Sequence, residues 1–191
     1  RLMRIATYNV EWFTNLFADD GSLLADGAWS SRYNVTRQMQ ADAIAHVMTA
    51  LDADAVMIIE APDAHGARSG KGALETFADA FGLRTRTALL GYENETQQEI
   101  ALLYDPDVLT ARHAAETAAA PRFDGEFSID LDVDARLDTV RWSKPPLALA
   151  CQSASGRAFR MIGVHAKSKA PHGAKTREEV MRASIANRRK Q

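Results

Sequence analysis

The chain has 191 residues, 46% of them hydrophobic and 25% charged, with a formal net charge of −2. That is the composition of an ordinary globular domain, long enough to bury one substantial core. No run of 18 apolar residues occurs, so no membrane-spanning helix is expected. The basic-then-apolar opening of a signal peptide is missing, although a start at Arg1 rather than Met leaves a removed leader open. The single cysteine, Cys151, excludes an internal disulfide and favours a reducing, cytoplasmic setting.

Charge is unevenly spread. From His165 to the end there are eight Lys/Arg against two Asp/Glu, whereas the residues before it carry 15 against 23. A basic segment of this kind is a solvated helix face or a surface for phosphate-bearing partners.

Residues 3–10 are rich in β-formers and read as a strand, with Asn9 near its end. Residues 14–33, with Gly21, Gly27 and several Asp and Ser, read as a long loop pinned by Trp29 and Tyr33. Asn34 is the expected cap of a helix running to about Leu51, with Val35, Met39, Ala43, Val47 and Leu51 as its apolar stripe, widened by Ile44 and Met48. Ala55-Val56-Met57-Ile58-Ile59 is an unbroken apolar run followed by Glu60 and then Ala61-Pro62-Asp63, the pattern of a strand buried on both faces that ends in a carboxylate. Strand, helix and strand make a βαβ-like unit, so the two strands run the same way and deliver Asn9 and Glu60 to one sheet edge.

A Gly-rich loop follows, then a helical stripe of Leu74, Phe77, Ala78 and Phe81 closed by Gly82. Residues 84–90 and 99–104 read as strands, the second stopped by Asp105-Pro106. Residues 127–138 alternate strictly between apolar and polar, which predicts a strand or hairpin arm with one wet face. The Asp130-x-Asp132-x-Asp134 inside it resembles a calcium loop, but Ala135 stands where the loop needs Gly and Arg141 where it needs Glu, so a solvated acidic face is expected instead. Residues 147–152 and 158–164 form a hairpin around 153–156. Thr176-Arg177-Glu178-Glu179 is a capping box opening a basic helix. These elements argue for an α+β fold of one domain, with two sheets packed face to face and helices outside. A doubly wound dinucleotide fold is disfavoured because no Gly-x-Gly-x-x-Gly follows the first strand.

Asn9, Glu60, Glu99 and His165 all sit at or beside strand ends. Asn and Glu oxygens are hard ligands suited to Mg2+ or Ca2+ rather than zinc. A histidine with a nearby carboxylate suits proton transfer. Lys144, Lys167 and Lys169 are candidates to hold phosphate oxygens.

Thr7-Tyr8-Asn9-Val10-Glu11, then Asp54 to Glu60, then Gly163-Val164-His165-Ala166-Lys167-Ser168 resemble, in order and spacing, the endonuclease/exonuclease/phosphatase superfamily. That group includes pancreatic deoxyribonuclease, the apurinic-site endonucleases, the neutral sphingomyelinases and the inositol-polyphosphate phosphatases. The resemblance implies a four-layer α/β/β/α sandwich with two mixed β-sheets. It also implies a metal-dependent phosphodiesterase, foremost a nuclease acting on DNA, with Mg2+ as cofactor and Mn2+ or Ca2+ as alternatives. Asn9 and Glu60 would hold the metal. His165 would contact the scissile phosphate or leaving group, and Glu99 would match the carboxylate that pairs with that histidine. Lys144 sits where the deoxyribonuclease branch carries a phosphate-binding Arg, and Lys167 would join it on phosphate. Water would attack in line while the metal neutralises charge on the phosphate.

Two positions depart from the pattern: Ile59 replaces a usual Gln, and Lys144 replaces Arg, which loses a two-pronged phosphate contact. The family's later Gly-Asp-x-Asn and Ser-Asp-His motifs are not among these residues. The expectation is therefore the N-terminal part of such a domain, inactive by itself, with no membrane span and a monomeric state. Phospholipid or inositol-phosphate substrates, or an inactive binding module on the same fold, are the alternatives.

Overall fold

The computed structural model of the chain describes residues 2–31, 34–91, 98–114, 125–168 and 170–191. In chain order its elements begin β1 (Ile5–Asn9), a 3-10 turn (Phe13–Leu16), α1 (Arg37–Leu51), β2 (Ala55–Pro62), α2 (Gly70–Ala80), β3 (Thr87–Leu90) and β4 (Gln98–Tyr104). They continue with β5 (Leu109–His113), β6 (Phe127–Ile129), β7 (Asp138–Val140), β8 (Leu147–Ser153), β9 (Ala158–Gly163) and α3 (Arg177–Lys190). Helix and strand are mixed along the chain, as an α+β fold requires. The chain divides into two compact units, Arg1–Ala115 with Lys144–Val164, and Glu116–Ser143 with His165–Gln191.

In the first unit, one sheet has the order β1-β2-β4-β3 and another the order β5-β8-β9. β1 and β2 are parallel, as the βαβ reading expects, with Ile5 opposite Ala55 and Asn9 opposite Ile59. β4 is antiparallel to both of its neighbours. Alternation along the central strands divides their side chains between two apolar clusters. Val56, Ile58, Ala101 and Leu103 pack with Ile44 and Met48 of α1 and Leu74 and Phe77 of α2. Ala55, Met57, Ile59, Ile100 and Leu102 pack with Leu109, Leu147, Leu149 and Cys151 of the second sheet. A strand covered on both faces has no room for polar alternation, which is why β2 reads as a continuous apolar run.

The local details correct several expectations. Thr36, not Asn34, caps α1, its hydroxyl accepting from the Met39 N–H at 3.1 Å. Asn34 has a left-handed backbone (φ 49°) two residues upstream, out of the capping position. The buried stripe of α1 is Ala41, Ile44, Ala45 and Met48, whereas Met39 and Ala43 are exposed, because small alanines let the helix lie close on the sheet. Trp29 does not pin the loop; it is 71% exposed. Anchoring comes instead from Phe13, Leu16 and Phe17, with the Phe13 and Phe77 rings edge to face at 5.0 Å. Tyr33 lies outside the described residues. α2 begins after Ser69, whose hydroxyl accepts from the Gly72 N–H, and ends before Gly82 at φ 59°, the left-handed stop expected there.

The end of the first sheet where β2 begins is closed by charge pairs. Asp54, only 1% exposed, accepts the Arg4 backbone N–H at 2.7 Å and Arg84 Nη1 at 2.7 Å. Arg84 also reaches Asp105 at 3.0 Å and Asp52 at 3.1 Å. Burial pulls the Arg84 pKa down, but its hydrogen bonds to Asp54, Asp105 and Asp52 more than offset this and leave it raised.

In the second unit, β6 and β7 pair antiparallel, Phe127 with Val140 and Ile129 with Asp138. The period-two stretch is thus not one long strand. Residues 130–137 form the connecting loop, in which Asp130 accepts N–H groups from Val133, Asp134 and Ala135. α3 opens with the expected capping box: the Thr176 hydroxyl accepts from Glu179 N–H, and the Glu179 carboxylate accepts from the Thr176 and Lys175 N–H groups. Those backbone bonds hold the Glu179 carboxyl below its usual range. Among the described residues, no helix is long and apolar enough to cross a membrane.

Candidate functional site

β1 and β2 end on the same edge, and antiparallel β4 begins there. Asn9 closes β1, Glu60 lies near the end of β2, and Glu99 stands at the start of β4 opposite Ala61. Three adjacent strands therefore deliver three of the candidate residues to one place. Glu60 is set apart by a bulge. Ile59 pairs with Ile100 and Ala61 with Glu99, so Glu60 is the extra residue on its strand. Without the bulge, residue 60 would take the position on the helix-facing side that Ala61 occupies, fully buried in the core. The bulge gives that position to alanine and frees the carboxylate from the pleat.

The bulge has a backbone cost. Glu60 has φ 63°, the left-handed region that a residue with a Cβ enters at about 1–2 kcal/mol. Trp12, three residues beyond Asn9, is also left-handed, at φ 61°. Both chains leaving the edge thus carry a strained residue within three positions of a candidate ligand.

Asn9 Nδ2 donates to Glu60 Oε1 at 3.3 Å, which turns the Asn9 carbonyl oxygen away from that bond and leaves it as an acceptor. Glu99 is 4% exposed and Lys144, just before β8, is 8% exposed. Burial pulls the Lys144 ammonium below the usual lysine range, while the charges of Glu99 and Glu60 pull it back up. Lys144 therefore lies within the field of both carboxylates. The Glu60 and Glu99 carboxylates and the Asn9 carbonyl are oxygen donors, and such a set fits a hard divalent cation.

A second polar group adjoins this edge and was not legible in the sequence. Arg68 and Asp63 are both buried, and Arg68 bonds Asp63 and Thr14. No spacing rule links a residue in the Gly-rich loop to one 54 positions earlier; only the parallel pairing of β1 and β2 does.

Of the remaining candidates, His165 and Lys167 belong to the second unit. His165 is half-buried, and the Lys167 carbonyl accepts from Gln191 Nε2 at 2.6 Å. Lys169 lies outside the described residues. In the same unit, ligand atoms of Asp130, Asp132 and Asp134 lie within 4.8 Å of one another. Both Asp130 oxygens are already engaged by backbone N–H groups, so this carboxylate organises the loop. A hollow of about 530 Å³ opens over β5, β8 and β9, lined by Arg112, Gln152, Phe159 and Arg160 among others, and includes none of the candidate residues.

Neither a scan against protein-family models nor a search of curated proteins finds a match to the chain.

Proposed function

We propose that the protein is a divalent-metal-dependent phosphodiesterase, with DNA as substrate and with Asn9 and Glu60 as the residues that hold the metal. The observation that supports this reading most directly is the Asn9–Glu60 contact at the shared end of two parallel strands. Its second support is the oxygen donor set there, with buried Lys144 in the field of both the Glu60 and Glu99 carboxylates. The order of the Asn9, Glu60 and His165 motifs, similar to that of the endonuclease/exonuclease/phosphatase superfamily, supplies the reaction class.

When bound, Mg2+ (or Mn2+ or Ca2+) supplies charge neutralisation for a phosphate and its departing oxygen. Asn9 offers a neutral carbonyl oxygen and Glu60 an anionic one, a set that leaves most of the cation's shell to water and phosphate. Lys144 acts on a phosphate oxygen as a point charge, and its buried setting strengthens that contact. From the resemblance, His165 carries proton transfer, Glu99 supports it, and Lys167 binds phosphate. The same resemblance supports a four-layer α/β/β/α sandwich.

Titration calorimetry of Mn2+ into the chain and into Glu60→Gln tests the reading. Saturable binding that is lost in Glu60→Gln is the expected result, together with Mn2+-dependent binding of a DNA oligonucleotide. Equal Mn2+ affinity in the two proteins overturns it.

A further inference from the structure

We infer that Arg68 is a positioning residue for the Asn9–Glu60 pair, an inference that rests on the metal-binding reading of that pair. Its guanidinium, 7% exposed, spans the two chain segments that leave the sheet edge. On the β2 side it donates from Nε to the Asp63 carbonyl at 3.1 Å and from Nη2 to the Asp63 carboxylate. On the β1 side Nη2 donates to the Thr14 hydroxyl at 2.8 Å, and Nη1 reaches the Thr14 and Phe17 carbonyls at 3.3 and 3.4 Å. The Thr14 hydroxyl in turn donates to Asp63 Oδ1 at 3.0 Å, closing a three-membered polar cluster.

The effect of this cluster is mechanical. At the sheet, the two segments are joined by the Val10 N–H, which donates to the Ile59 carbonyl at 2.9 Å. Beyond it, they are joined again at Thr14 and Asp63 through Arg68. Between those two ties lie Trp12 in one segment and Glu60 in the other, both in left-handed backbone. Such conformations persist only where the surroundings over-determine them. The Glu60 backbone is also held from its other side by β4, which pairs with Ile59, Ala61 and Pro62. Without the second tie it is the β1 segment, Trp12 included, that can swing away and draw the Asn9 carboxamide off the Glu60 carboxylate. Arg68 supplies the second constraint, and the planar fork of a guanidinium is suited to bond both segments at once.

The tests are Arg68→Lys, which keeps the charge but not the fork, and Thr14→Val, which cuts the tie to β1 alone. Amide exchange, backbone and side-chain chemical shifts, and Mn2+ affinity are measured on each. Expected are faster exchange of the Val10 amide, a Trp12 backbone shift away from left-handed values, displaced Asn9 carboxamide resonances, and Mn2+ binding weaker by about 10- to 100-fold. The Leu103 amide in central β4 keeps its protection. Folded variants with unchanged Val10, Trp12 and Asn9 signals overturn the assignment and leave Arg68 a structural ion pair. If Glu60→Gln binds Mn2+ as tightly as the parent chain, the metal reading fails instead, and the exchange and shift data still decide whether Arg68 fixes the pair.

Discussion

The two ends of β2 handle charge in opposite ways. Where the strand begins, buried Asp54 meets Arg84 and the Arg4 N–H, and Arg84 is shared further with Asp52 and Asp105. A left-handed residue there, Asp52 at φ 42°, lies in the turn before the strand, and the cluster reads as a structural clasp in which Arg4 and Arg86 also meet Asp52 and Asp105. Where the strand ends, Glu60 sits in a bulge at φ 63°, and buried Lys144 lies in the field of Glu60 and Glu99. At the first end the left-handed residue lies outside the strand; at the second it lies within the strand and is itself a candidate ligand. Proteins tolerate the second arrangement chiefly where a ligand completes it.

The contrast can be broken most forcefully at the first end. Asp54→Ala leaves the Arg4 N–H without its acceptor and takes one of three carboxylates from Arg84, and should destabilise the fold by about 2–3 kcal/mol in urea titrations. A loss below about 1 kcal/mol would remove Asp54 from its structural role. Mn2+ affinity of the folded fraction should stay unchanged.

Gly70→Ala probes the packing behind the strained end. A Cβ there would meet the Pro62 carbonyl at 2.6 Å and Leu90 Cδ2 at 2.8 Å, and the backbone oxygen cannot rotate aside. The expected cost is about 1–3 kcal/mol, measured as before.

Glu60→Gly separates strain from function. Glycine accepts φ 63° without the Cβ clash, so stability should rise by about 1 kcal/mol while Mn2+ binding disappears. Glu60→Gln, which keeps the Cβ, should lose binding without the gain. Equal stability of the two variants would mean that the bulge holds no strain.

The smallest effect is a pH dependence. The Lys144 pKa is lower in the folded chain than its ordinary 10.5, so between the two values the unfolded chain binds more protons. This group's contribution to stability therefore rises with pH until about 10.5 and then levels off. Lys144→Met should flatten that rise in a series of melting temperatures from pH 7 to 11; an unchanged slope would show that the lysine is not strained by burial.

Much of the first unit was legible because its signals are local. The apolar run 55–59, the Phe77 stripe with Gly82, and the hairpin of β8 and β9 each declare themselves within a dozen residues. The strand β5 was missed, since Leu109–His113 is short and half polar. The cap of α1 was misplaced because Asn34 and Thr36 are both good capping residues, and backbone geometry chose between them. Period two at 127–138 was real, but Asp130 turned its middle into a loop by capturing three N–H groups, a competition that propensity does not register. In the candidate site, Asn9 and Glu60 were readable as strand-end residues. The bulge was not, because nothing in Ile59-Glu60-Ala61 reveals that Ala61 rather than Glu60 faces the helices. The Arg68 tie joins loops that only the folded sheet brings near.

Cys151, finally, matters for how the molecule can be handled. Packed between the sheets of the first unit and 4% exposed, its thiol is pushed above the usual range by burial, so little reactive thiolate is available at neutral pH. The native chain should ignore maleimides. A cysteine placed at an exposed position such as Ser31 would then be the only one to react. That allows a single fluorophore or spin label to be attached beside the 3-10 turn, where Asn15 bonds the Ser31 hydroxyl, without first removing a native cysteine.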